Sequence, residues 1–178
     1  MRRTMDDTLL ALRKQLQAWA RHKACPDVRM LIYPPEWEAV MLARLPTFAA
    51  ECATAGLPVE LVDIGQRFLA ELESRPTRLE ILLRDDASGK ATVSRDLGMI
   101  AVPLLTKVIQ ADLAPPAICR ILTNTGTLAT FTSYSAVINR LYDAVAAPVV
   151  LLFPGEGDDR ALNILGLRSD PSYRVPRI

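Results

Sequence analysis

The sequence has few of the residues that build common catalytic and metal centres. Its 178 residues include one histidine, His22, and three cysteines, Cys25, Cys52 and Cys119, with no Cys-x-x-Cys pair. A zinc site needs several such ligands, so this chain has almost none to offer. Scattered cysteines are typical of a reducing compartment, where they serve as small buried side chains.

Long apolar runs and an excess of one charge are also absent. No apolar run approaches the roughly 20 residues that span a bilayer. The Arg2-Arg3 pair is followed by Asp6-Asp7 rather than by the apolar segment of a secretion signal. The 21 basic and 20 acidic residues leave a net charge of +1, which provides no long-range attraction for phosphate. These absences predict a soluble, cytoplasmic protein that does not contact membranes, and they make direct nucleic-acid binding a minor alternative.

The sequence signatures of hydrolases and nucleotide-binding loops are missing as well. Ser133 and Ser135 are not part of a Gly-x-Ser-x-Gly elbow. Ser88-Gly89-Lys90 lacks the preceding glycine and strand of a phosphate-binding loop, so it is predicted to be a solvated turn. We therefore expect no catalytic residues, no cofactor and no bound metal.

The strongest structural signal is an unbroken apolar run that begins at Pro148, ends at Phe153 and is closed by Pro154-Gly155. A run of this length with β-branched residues at its start is typical of a strand buried on both faces, so we place it in the middle of a sheet. Residues 156–160 are predicted to form a loop at its carboxyl end, where open α/β sheets hold ligands and partners.

Alternating strand and helix patterns precede this run. Three further strands are predicted at Val28–Tyr33, Val59–Ile64 and Ile118–Leu122. Helices are predicted between these strands and from Asp6 to His22. Pro46 is expected to kink or split the helix that contains it. One long helix is expected from Leu128 to Val145. Residues 74–95 are predicted to be flexible or irregular. The order predicts one α/β domain, residues 1–178, with a mostly parallel sheet flanked by helices.

The turn from Thr123 to Thr127 is the best candidate for binding a small ligand. A junction between a strand and a helix points unpaired amides above the sheet, and Gly126 permits close approach of a ligand to the backbone. The candidate ligand-binding residues are Asn124, Thr125, Gly126 and Thr127. The alternative is an ordinary helix cap formed by threonine or asparagine, and the sequence leaves both open.

The closing stretch of the chain resembles a known family. Four features are similar to the closing signature of the BrxB family of BREX phage-exclusion systems. They are Phe153-Pro154-Gly155, Asp158, the run Leu162-Asn163-Ile164-Leu165-Gly166 and the pair Tyr173-Arg174. Asn124 stands where the family pattern has a glycine, and Ser133 and Ser135 stand where it has an arginine and a histidine. The chain therefore resembles a divergent or compact member.

The resemblance implies a fold like that of a P-loop nucleotide hydrolase without a Walker A motif. It also implies a non-catalytic adaptor that binds larger BREX subunits, such as a PglZ-like protein of the alkaline-phosphatase superfamily. The candidate partner-binding residues are Pro154, Gly155, Asp158, Arg160, Tyr173 and Arg174. Whether the chain forms a homodimer is left open.

Two alternative functions come from the residues themselves. The first is a nucleotide-binding or nucleotide-hydrolysing enzyme that uses the 123–127 turn, with Asp158 holding a metal ion or a water molecule. The second is a nucleic-acid-binding module based on Arg168, Arg174 and Arg177, with Tyr173 stacking on a base.

Overall fold

A computed structural model describes the chain at residues 4–22, 27–89, 92–129, 131–134, 137–138, 144–157, 161–164, 168–171 and 176–178. The helices in these ranges are α1 Met5–His22, α2 Glu38–Thr54, α3 Ile64–Glu73, α4 Pro76–Ala87, α5 Val93–Gln110 and α6 Gly126–Ala129. The strands are β1 Val28–Tyr33, β2 Val59–Asp63, β3 Cys119–Thr123, β4 Val149–Gly157, β5 Ala161–Ile164 and β6 Arg168–Pro171.

The sheet is built around a parallel core whose spatial order is β2-β3-β4-β1. β4 lies inside it because Val149–Pro154 pairs with all of β1, while Val149–Leu151 also pairs with β3. The predicted α/β fold with a mostly parallel sheet flanked by helices is confirmed, and so is the central position of the apolar run that starts at Pro148.

The predicted end of this central strand is wrong. β4 does not stop at Pro154-Gly155 but continues to Gly157, and its last residues pair with β5, with Gly155 opposite Ile164. β5 and β6 then add an antiparallel hairpin to the sheet. A proline interrupts a sheet only where the ladder needs its missing N–H group, so Pro-Gly alone does not end a strand.

Each face of the parallel sheet has its own apolar core. Side chains of β4 alternate between the two faces, with Leu151 and Phe153 in one core and Val150 and Leu152 in the other. The first core lies under α3, α4 and α5, and the second lies under α1 and α2. β4 is therefore covered on both sides, which accounts for its unbroken apolar sequence.

Proline does not divide the second helix as expected. Pro46 was expected to kink or split this helix; α2 runs from Glu38 to Thr54 as one element, so the split is wrong and the kink stays a prediction. Leu45 and Phe48, on either side of the proline, are buried in the core. This packing compensates for the ~3 kcal/mol that an interior proline costs a helix.

The irregular structure predicted for residues 74–95 is wrong where this range is described, because it contains all of α4 and the beginning of α5; residues 90–91 lie outside the described residues, and flexibility stays a prediction. Pro76 stands in the first turn of α4, where its fixed backbone angle favours a helix. One continuous helix from Leu128 to Val145 is wrong too, because residues 131–133 and 144–145 are not helical, although residues 134, 137 and 138 are. The rest of the predicted range after residue 129 lies outside the described residues. α6 ends at Ala129, and the N–H groups of Phe131 and Thr132 both donate to the carbonyl of Leu128, which closes the helix in a turn.

The outer edge of β1 is paired by a short segment from much later in the chain. The N–H of Met30 donates to the carbonyl of Pro176, and the N–H of Ile178 donates to the carbonyl of Met30, both at 3.0 Å. Met30 and Arg177 form a parallel bridge there. β1 consequently lies between β4 and residues 176–178.

The described cysteines are small core residues, as predicted. Cys52 and Cys119 are free and buried, and burial raises the pKa of the Cys119 thiol, which keeps it protonated. Cys25 lies outside the described residues. Among the helices that the structure describes, none has the length and apolar character needed to cross a membrane.

Arg120 of β3 is buried and joins two strands to a helix. Only 3% of the residue is exposed. Its Nε group donates to Glu60 Oε2 on β2 at 3.0 Å, and its Nη2 group forms an ion pair with the same oxygen at 2.8 Å. Its remaining N–H groups donate to the carbonyls of Val108, Ala111 and Asp112 at the end of α5. Carbonyls at a helix carboxyl end lack partners inside the helix, so Arg120 satisfies groups that would otherwise be buried without donors.

Replacing this guanidinium should be among the most damaging single changes in the sheet. We expect Arg120→Met to lower the free energy of unfolding by about 3–5 kcal/mol, because it leaves Glu60 and the α5 carbonyls without donors. The matched control is Arg44→Met, which removes the exposed ion pair that Arg44 makes with Glu51 at 2.9 Å and should cost about 0–1 kcal/mol. Urea unfolding of both variants measures the difference. Equal losses in the two variants would contradict this account of Arg120.

Candidate functional site

The candidate site is the carboxyl edge of the parallel sheet, where the ends of β1, β2, β3 and β4 meet. Ligands of open α/β sheets bind at this edge. The 123–127 turn leaves β3 here, Asp63 ends β2, and Tyr33 ends β1. The structure therefore brings the predicted turn next to Asp63 of β2, while Tyr33 lies at the same edge on the far side of β4.

Asn124 is tied to the end of the neighbouring strand. Its Nδ2 donates to Asp63 Oδ2 at 2.6 Å, while Asp63 Oδ1 accepts from the N–H of Gln66 at 2.9 Å and so caps α3. The backbone of Asn124 has a φ of +54°, a left-handed conformation that asparagine adopts more readily than most residues. The Asn124 side chain is thus used to join β3 to the start of α3.

Thr125 points into the protein. It is fully buried, its hydroxyl donates to the carbonyl of Leu152 in β4, and its carbonyl accepts from Tyr134 Oη at 2.8 Å. The ring of Tyr134 meets Phe153 edge to face, with centroids 4.7 Å apart and planes at 85°. Thr125 therefore anchors the turn to the central strand, and its hydroxyl does not face a ligand.

Gly126 and Thr127 begin α6, a helix of only four residues. Thr127 is exposed, and its N–H donates to the carbonyl of Asn124 at 3.2 Å. A Cβ atom on Gly65 would lie 3.0 Å from Thr127 Oγ1, so the start of α3 comes very close to this turn. The four candidate ligand-binding residues do lie together, but the side chains of Asn124 and Thr125 hold the turn in place. Both donate to groups outside α6, so neither side chain serves as the predicted helix cap.

The candidate partner-binding residues are only partly within the described structure. Pro154 and Gly155 are buried in β4, so neither lies on the exposed surface. Asp158, Arg160, Tyr173 and Arg174 lie outside the described residues. In the part of the chain that is described, no group of three or more His, Cys, Asp or Glu side chains is placed to hold a metal ion.

A tyrosine–glutamate pair at the end of β1 was not predicted. Tyr33, 1% exposed, donates its hydroxyl to Glu38 Oε2 in the first turn of α2. Burial first, and then the bond to Glu38, raises the pKa of Tyr33. Burial also raises the pKa of Glu38, although the bond from Tyr33 lowers it. Nothing in the local sequence distinguishes Glu38 from the neighbouring Glu36, so the pair could not have been found from the sequence.

An apolar groove on the surface was also missed. It has a volume of about 550 Å³ and lies between α3, α4 and α5. Its lining residues are Leu72 of α3, Leu79, Leu82, Leu83 and Asp86 of α4, Val93, Ser94 and Leu97 of α5, and Phe131. The four α4 residues follow the i, i+3, i+4, i+7 spacing of one helix face. The apolar face of α4 could therefore have been recognised from the sequence. The position of α5, which lies beside this face without covering it, could not.

Glu38→Gln should change how stability depends on pH. A carboxyl with a raised pKa in the folded state contributes stability that is fully present below its ordinary pKa and is lost as the pH rises through the folded value. Because glutamine does not ionise and can still accept the bond from Tyr33, we expect the stability of Glu38→Gln relative to wild type to increase between about pH 4 and pH 7. Urea unfolding across this range measures the trend.

The control is Glu51→Gln, whose stability relative to wild type should stay nearly constant over most of this range and change, with the opposite sign, only below the ordinary pKa of glutamate. Hydrogen bonds from Arg44 first, and then from Arg13, lower the pKa of Glu51. Its contribution is therefore present above the ordinary pKa of a glutamate and is lost as the pH falls. A relative stability of Glu38→Gln that stayed constant or decreased with rising pH would contradict the assignment.

Comparison with known proteins does not supply a family for this chain. No family model, curated protein or solved structure matches it. The groove and the sheet edge described above are therefore the features that bear on its function.

Proposed function

We propose that this chain is a cytoplasmic, non-catalytic adaptor of a BREX-type phage-defence system, which binds a larger subunit such as a PglZ-like protein. The BrxB-like residues near the end of the sequence supply the family hypothesis. The structural observation that carries the adaptor role is the apolar groove between α3, α4 and α5.

The groove leaves large apolar side chains in contact with solvent. Leu83 is 61% exposed, although it belongs to the same helix face as the buried Leu82. Burying a leucine side chain fully contributes about 1.5–3 kcal/mol, so covering this face gives a partner a source of binding free energy. Two helices that form an apolar cleft are a common receptor for a third, amphipathic helix.

The occupant that fits best is an amphipathic helix of the larger subunit. Its apolar face would pack on Leu79, Leu83 and Leu97, and a lysine or arginine at the edge of that face would pair with Asp86. Asp86 is the one charged side chain among the described residues that line the groove, so charge complementarity favours a basic residue at this position.

The carboxyl edge of the sheet is compatible with a role that does not involve catalysis. The side chains of Asp63, Asn124 and Thr125 make hydrogen bonds within the protein. A substrate at this edge would have to compete for these groups, whereas a partner in the groove meets surface that nothing else in the described chain covers.

The adaptor proposal is tested with a charge placed in the groove. We expect Leu83→Asp to reduce recovery of the larger subunit about tenfold or more when the two proteins are co-expressed and purified together, since a central interface residue can contribute 2 kcal/mol or more. Val40→Asp on α2 is the matched control, because Val40 is 56% exposed and lies outside the groove; it should leave recovery unchanged.

Unchanged thermal unfolding of both variants is the check that neither has lost its fold. Failure of the wild-type protein to retain any co-encoded defence protein would reject the adaptor role. Equal recovery with Leu83→Asp and Val40→Asp would reject the groove as its site.

The nucleotide alternative has its own test. Millimolar ATP with magnesium should leave the melting temperature unchanged, whereas a ligand at 100 times its dissociation constant would add about 2.7 kcal/mol of stability. A rise that disappears in Gly126→Val would replace the adaptor proposal with a nucleotide site at the 123–127 turn. The same rise in that variant would place the nucleotide elsewhere.

A further inference from the structure

A second opening in the surface is separate from both the groove and the sheet edge. It has a volume of about 440 Å³ and lies between α3, α5 and the strand β2. Its walls include Glu60 and Val62 of β2, Arg67 of α3, and Lys107 and Val108 of α5. None of its lining residues also lines the groove. A volume of this size is typical of small-molecule sites.

Two cations of this cavity are not neutralised by the protein. Arg120 uses its N–H groups on Glu60 and on the carbonyls at the end of α5, and Glu71 is paired with Arg75. Within the described residues, Arg67 and Lys107 have neither an ion-pair partner nor a hydrogen-bond partner.

Of the carboxylates that line the cavity, that of Asp112 has no cation partner in the described part of the chain; its carbonyl, but not its side chain, is bonded to Arg120. Two free positive charges therefore face one free negative charge. The local balance favours a ligand that brings negative charge, but the carboxylates of Asp112 and Glu60 would repel a ligand with many charges.

The cavity combines exposed cations with buried apolar surface. Arg67 and Lys107 are exposed, whereas Val62 and Val108 are 4% and 6% exposed and line the cavity beside the buried Arg120, which is bonded to Glu60. A ligand that fills it would need an anionic group beside the cations and an apolar body. An arginine can hold a phosphate or carboxylate through two parallel bonds, and a lysine adds a point charge beside it.

We infer that this cavity is a binding site for a small organic anion, a phosphate monoester or a carboxylate, with its charged group between Arg67 and Lys107 and its apolar part on Val62 and Val108. Arg120 also lines the cavity, but its N–H groups are used by Glu60 and by the carbonyls at the end of α5. It positions the site, because it fixes the end of α5 that carries Lys107 against β2 and β3.

The test uses simple probes that separate the two halves of the ligand. Phenyl phosphate and phenylacetate carry both the anion and the ring, inorganic phosphate carries the anion alone, and benzyl alcohol carries the ring alone. Titration of the ¹⁵N-labelled full chain should shift the amide signals of residues that line the cavity, with at least one of the two complete probes binding tighter than either half. Comparison of phenyl phosphate with phenylacetate identifies which anionic group the site prefers.

Charge substitutions then assign the site. We expect Arg67→Gln combined with Lys107→Gln to weaken binding of the preferred probe about tenfold, because charge-assisted hydrogen bonds are lost. Arg84→Gln combined with Arg95→Gln makes the same change in net charge at exposed positions outside the cavity and should leave binding unchanged. Equal weakening in both double variants would overturn the inference. So would a titration in which neither complete probe shifts the amide signals of the cavity. Binding of inorganic phosphate as tight as that of phenyl phosphate would also overturn it.

Discussion

The structure depends on a charged residue in its interior. Arg120 lies in the β3 segment Cys119–Thr123, whose residues are all buried, and its guanidinium joins β2, β3 and the carboxyl end of α5. The guanidinium reaches groups that no neighbouring apolar side chain could satisfy. Because α5 is fixed in this way, its first turns form one wall of the apolar groove and its last turns form one wall of the cationic cavity. The groove and the cavity therefore both depend on the position of α5, which Arg120 holds.

Polar groups are distributed unequally between the sheet edge and these two surfaces. At the carboxyl edge, Asp63, Asn124 and Thr125 are bonded to one another or to the backbone, and the start of α3 approaches the turn closely at Gly65. In the groove, by contrast, Leu83 is largely exposed, and in the cavity Arg67 and Lys107 have no partner among the described residues. Among the described residues, these polar groups at the edge are therefore engaged in structural bonds, whereas these apolar and cationic side chains on the helices are not.

The sequence predicted the fold well where local pattern decides it. The apolar runs of β1 and β4 identified a parallel sheet and its buried central strand, because a strand covered on both faces needs apolar side chains at every position. It failed where tertiary contacts decide. Core packing keeps α2 continuous through Pro46, and Glu60, the partner of Arg120, lies 60 positions away. The candidate turn was located correctly, but only the structure shows that Thr125 points inward to Leu152, and only the structure places α4 beside α5.

The pairing of β1 has a consequence for the order in which the protein can fold during synthesis. β1 leaves the ribosome first among the strands, yet both of its neighbours, β4 and residues 176–178, are made much later. Until then α1 can cover one face of β1, but both of its hydrogen-bonding edges stay open. Contacts between distant segments form slowly, and an open strand edge invites pairing with other chains. β1 thus keeps unpaired edges, open to wrong pairing, for longer during synthesis than β2, whose partner β3 is made before β4.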